Sequence, residues 1–100
     1  MALVSSLKQE VEKASKDADA LNRLYNVYFS GAEENPPREE RKRLEAAVAS
    51  IKAQIAKANN AADRFQANTF ISRYKAYTVK WDKVLRGIEA GTIPRPKKRE

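Results

Sequence analysis

The sequence predicts an all-α protein: an antiparallel helical hairpin, coiled-coil-like, with a long second helix. Three observations predict it. Apolar residues recur at alternating steps of three and four, the spacing that lines one face of a helix. No glycine or proline interrupts the chain between Leu44 and Arg86. Hydrophobic residues make up 42% and charged residues 33% of the chain, a balance that builds a packed core rather than a disordered segment.

The first helix is predicted over about residues 2–30. Val4, Leu7, Val11, Ala14, Ala18, Leu21, Tyr25 and Tyr28 form an unbroken heptad seam, widened near its end by Leu24 and Phe29. Glu12 before Lys16 and Asp19 before Arg23 are acid-first pairs four residues apart, which support a solvated outer face. Gly31 supplies the stop. Residues 31–36 form a turn, with Asn35 as the expected cap and Pro36-Pro37 suited to a helix entrance. Glu39 and Glu40 then fall in a first turn, where the helix dipole favours acid. Leu44, Val48, Ile51, Ile55, Ala58, Ala62 and Phe65 carry a second seam, and two seams joined by a short turn read as a hairpin.

Beyond Phe65 the phase changes. Phe70 follows after a step of five, which turns the apolar face by roughly 100°. The new face is an aromatic stripe: Phe70, Tyr74, Tyr77, Trp81, Leu85 and Ile88. Asn59-Asn60 followed by Asp63 resembles a helix restart, but the alanine-rich surroundings favour one helix over about residues 37–90, on the order of 80 Å long. The first helix, at about 43 Å, covers only half of that. The stripe then needs a partner. Hiding its four large aromatics contributes on the order of 10 kcal/mol gross. A homodimer through the stripe is the expectation, with a three-helix bundle folded back at Asn59-Asn60 as the alternative. Residues 1–91 thus form one helical domain. Gly91 caps it, and residues 92–100, with Pro94 and Pro96, form a basic flexible tail.

Composition narrows the function. The chain has no histidine and no cysteine, which removes the commonest general base, the commonest metal ligands and disulfides. No phosphate-binding or dinucleotide fingerprint occurs. The expectation is a non-enzymatic protein with no metal, no cofactor and no small-molecule substrate. The lack of a leader-like start and of a long apolar run predicts a cytoplasmic protein without membrane insertion. The net charge of +7 is uneven: residues 1–60 hold ten basic and nine acidic side chains, residues 61–100 ten basic and four acidic. That asymmetry points to an acidic partner.

Two surfaces follow. A partner helix, or a second copy, is expected on Phe70, Tyr74, Tyr77, Trp81, Leu85 and Ile88, with Arg73 and Lys80 at the rim. Nucleic acid is the alternative partner, through Lys75, Lys83 and Arg86 and the tail cations Arg95, Lys97, Lys98 and Arg99. On a helical wheel the aromatics and most of these cations point different ways, which favours protein–protein interaction by helix packing.

The order Leu24-Tyr25-Asn26-x-Tyr28-Phe29-x-Gly31, then Pro36-Pro37, Arg64-Phe65 and Arg73-Tyr74, resembles a family of small bacterial helical-hairpin proteins. The resemblance implies a bacterial, cytosolic helical hairpin and carries over no catalytic residue.

Overall fold

The computed structural model describes residues 6–96 and is all-helical there, with helices α1 (Ser6–Phe29), α2 (Arg38–Ile55) and α3 (Ala61–Ala90). Val4, at the start of the first seam, lies outside the described residues. α1 and α2 run antiparallel, and α3 returns parallel to α1, so Arg73 meets Asp19 while Asp82 meets Arg41. The result is a slender body of 55 × 24 × 16 Å. None of the three helices is long and apolar enough to cross a membrane.

The expected seam of α1 is its buried face: Leu7, Val11, Ala14, Ala18, Leu21 and Tyr25. α1 ends as predicted at Gly31, whose φ of +87° is a left-handed position that glycine adopts without a Cβ penalty. Ala32 N–H donates to Val27 (3.2 Å) and Gly31 N–H to Tyr28 (3.0 Å), the paired closure of a Schellman cap. α2 starts one residue after Pro37, with Glu39 and Glu40 in its first turn. Asn35 does not cap it. No side chain does, because the cap position is held by Pro37, whose ring carries no acceptor; Arg38 N–H donates instead to the Pro36 carbonyl at 2.8 Å.

The single helix over residues 37–90 is corrected: the chain breaks at residues 56–60. The break costs few hydrogen bonds. Lys57 and Ala58 N–H close a tight turn onto Gln54 and Ile55, at 3.0 and 3.3 Å. Asn60 Oδ1 then accepts from the N–H groups of Ala62 (2.8 Å) and Asp63 (3.2 Å), satisfying donors that a helix start would leave open. Against these small terms stands the stripe, whose burial is worth on the order of 10 kcal/mol gross. Phe70, Tyr74 and Trp81 accordingly join one core with the seams of α1 and α2. Phe65, expected in the second seam, falls out of phase with that core and is 73% exposed.

The segment after α3 is also corrected in part. Gly91 adopts φ +78° and closes α3 as expected, but residues 92–96 lie back against the α1–α2 turn rather than hanging free. Ile93 sits over Gly87, and a Cβ at Gly31 would collide with the Pro96 carbonyl. Arg95 Nε–H donates to the Tyr28 carbonyl at 2.8 Å, and its Nη2 to Glu33 O. Its guanidinium lies 4.1 Å from the centre of the Tyr28 ring. A cation thus closes the carbonyl end of α1, where the helix dipole favours it. Lys97, Lys98 and Arg99 lie outside the described residues.

Candidate interaction surfaces

The aromatic stripe, expected as the partner surface, faces inward. Trp81 is fully buried, Phe70 and Tyr74 nearly so, and Tyr77, Leu85 and Ile88 are half-buried. The Trp81 ring is sandwiched between Tyr25 (centroids 4.6 Å apart) and Tyr77 (5.4 Å), both stacked. Each polar tip of the stripe finds an acceptor on α1 or α2. Trp81 Nε1–H donates to Asn22 Oδ1 at 2.9 Å, Tyr77 O–H to Asp19 Oδ1 at 2.8 Å, and Tyr74 O–H to Glu45 Oε2 at 2.7 Å. That pairing is what lets tyrosine and tryptophan enter a core at all. The rim cations serve the same joint: Lys80 Nζ donates to Asn22 at 3.1 Å, and Arg73 pairs with Asp19.

Arg41 was not visible as special in the sequence, yet it ties all three helices. Its guanidinium carbon lies 5.8 and 5.6 Å from the Tyr25 and Trp81 ring centres. Its N–H groups donate to Asp82 in a two-pronged pair of 2.9 and 3.2 Å and to Tyr25 Oη at 3.2 Å. Burial acts to lower its pKa, but the hydrogen bonds to Asp82 and Tyr25 outweigh that and leave it more firmly protonated. The hydrogen bond from Tyr77 holds the Asp19 carboxyl below its ordinary range, outweighing desolvation, with Arg73 adding to the effect. Burial, and then the adjacent Glu45, push the Tyr74 phenol well above its usual value. These charges hold the fold.

The stripe is therefore covered by its own chain. Compared with known protein families, with curated proteins and with solved structures, the chain matches none. Its surface has to be read from its own residues.

Of the cations expected to meet nucleic acid, Lys75, Lys83 and Arg86 are exposed on α3, whereas Arg95 is occupied by Tyr28 and Glu33. Leu85 and Ile88 line a cleft of about 520 Å³ with Tyr28, Arg38, Lys42 and Glu89, whose mixed charges favour no one ligand. The outward face of α3 is different. Phe65, Ser72, Ala76, Val79 and Lys83 follow one another along it at helical spacing, and all are exposed, Phe65 by 73% and Val79 by 58%. Arg64, Lys75, Lys80 and Arg86 flank them. Of the three acids of α3, one, Asp82, shares the flank of Lys75, a heptad further on. Asp82 is paired with Arg41, Glu89 lines the cleft, and Asp63 lies beside Leu7 at the connection to α2. One signal of this face was present in the sequence: the step of five that moves Phe65 out of the core phase.

Proposed function

We propose that this chain is a non-enzymatic protein–protein interaction module that acts by helix packing, with the outward face of α3 as its working surface. One observation carries the reading: a helix face with an excess of exposed cations, its one flanking acid, Asp82, spent on Arg41, around two exposed apolar side chains, Phe65 and Val79. Such a face rewards an acidic partner through both charge and apolar contact. The working unit is the three-helix bundle itself. Self-association through the stripe is not part of this reading, because Phe70, Tyr74 and Trp81 are spent inside the chain. The module acts without cofactor or small-molecule substrate, in the bacterial cytoplasm that the residue order and the lack of cysteine suggest.

Nucleic acid is the second reading, favoured by the exposure of Lys75, Lys83 and Arg86. Affinity capture from the native host, with and without nuclease, separates the two. The expected result is a protein retained after nuclease treatment and lost with a Lys75→Glu, Lys83→Glu, Arg86→Glu variant. Capture that disappears on nuclease treatment, or that ignores this variant, would sink the protein-partner reading.

A further inference from the structure

We infer that the outward face of α3 takes an acidic amphipathic helix from a different protein. This rests on the module reading above and names the partner of that same face. The shape argument begins with spacing. Phe65, Ser72, Ala76, Val79 and Lys83 advance by seven, four, three and four residues, so they form a straight seam of the kind one helix presents to another. Large side chains stand at Phe65 and Val79, with the small Ser72 and Ala76 between them. The trough between them admits the ridge of a facing helix. The seam from Phe65 to Lys83 spans 19 residues, about 27 Å, so about three heptads of a partner fit along it.

Charge selects the occupant. Arg64, Lys75 and Arg86 lie on one flank and Lys80 on the other, and the one acid among them, Asp82 beside Lys75, is already ion-paired with Arg41, so the face keeps an excess of positive charge. A partner helix with apolar residues in its own seam and glutamate or aspartate at its flanking positions satisfies both requirements. A second copy of this chain does not. Its α1 carries four basic and four acidic residues, its α2 five basic and three acidic, and its α3 six basic and three acidic. None of its helices offers an acidic seam, and pairing α3 with α3 brings like charges together. A nucleic-acid duplex uses the cations but gains nothing from Phe65 and Val79, and of the α3 aromatics only Phe65 stands outside the core, too few for the successive base stacking of single-strand binders.

Three labelled probes titrated into the full chain at moderate salt test the inference. The first is a synthetic acidic peptide of about 21 residues with leucine at alternating three- and four-residue steps and glutamate at the flanking positions. The second is the same composition scrambled to remove the apolar face. The third is a DNA duplex of about 20 base pairs. The amphipathic peptide is expected to bind at least about tenfold more tightly than the scrambled one. Phe65→Ser with Val79→Ser should remove that preference, and Lys83→Glu with Arg86→Glu should weaken binding at least about tenfold. All four positions are exposed, so thermal melts by circular dichroism should stay close to wild type, and a variant that melts early is replaced by Val79→Thr alone.

Equal binding of the two peptides overturns the inference. So does duplex binding that is tighter than peptide binding and indifferent to the Phe65 and Val79 substitutions, which marks a plain phosphate-binding face. Host capture that depends on α3 while the amphipathic peptide fares no better than the scrambled one overturns the helical partner and leaves the module reading standing. Capture that is indifferent to α3 overturns both.

Discussion

At the scale of single residues, two glycines with the same backbone conformation should respond differently to the same change. Gly31 and Gly91 both have positive φ, so alanine at either costs about 1 kcal/mol in backbone strain. A Cβ at Gly91 meets nothing, whereas one at Gly31 runs into the Pro96 backbone. Gly91→Ala is expected to lower the unfolding free energy by about 1 kcal/mol, and Gly31→Ala by about 2 kcal/mol or more. Urea denaturation of the two variants checks the order. Trp81→Ala, which empties a fully buried ring site and leaves Asn22 with Lys80 as its remaining donor, should cost about 3–5 kcal/mol. Equal urea midpoints for Trp81→Ala and wild type would show that the stripe is not the chain's own core.

At the scale of elements, the decisive event is the interruption at residues 56–60. Asn60→Ala removes the acceptor of two N–H groups and should cost about 1 kcal/mol. The accompanying fraying of the first turn of α3 is measurable as faster hydrogen exchange at Ala62 and Asp63. Much of this level was legible in the sequence. The seam of α1, the stop at Gly31, the acids opening α2 and the cap at Gly91 all follow from local rules of spacing and helix ends. The break was visible too, as Asn59-Asn60 followed by Asp63, but local propensity weighed against it and a tertiary term decided. Burial of four aromatics outweighs an alanine-rich stretch's preference for continuing. Arg41 and Asp82 could not be matched from spacing at all. They are 41 residues apart, and only the return of α3 brings them together. The exposure of Phe65 follows from the same return.

At the scale of the whole molecule, pH and charge should act separately on stability and on binding. Because Asp19 titrates lower when folded, its carboxylate adds stability above its ordinary value of 3.8, and that contribution is lost as pH falls through the depressed folded value. Tyr74 works in the opposite sense. Its raised folded value leaves its contribution intact below about pH 10 and loses it as pH rises further. Thermal melts are expected to give a plateau between about pH 4 and about pH 10, with Asp19→Asn flattening the acid limb and Tyr74→Phe the alkaline one. Neither residue lies on the outward face of α3, so partner binding should survive both changes.

The segment after Gly91 has a further consequence for how the molecule opens. The tie between Arg95 and the Tyr28 carbonyl joins two points 67 residues apart and encloses α2 and α3 in one loop. Bonds of such long span are closed late and at the greatest chain-entropy cost, and this one is held by an arginine, an isoleucine and a proline rather than by a deep core. It should therefore be the first part of the native structure to let go. A brief local opening would release residues 91–96 and bare the carbonyl end of α1 while the Trp81 core stays shut. To a protease or an exchange experiment the molecule would then present two cooperative units, a firm body and a lighter clasp, with Gly31 and Gly87 marking where the clasp seats.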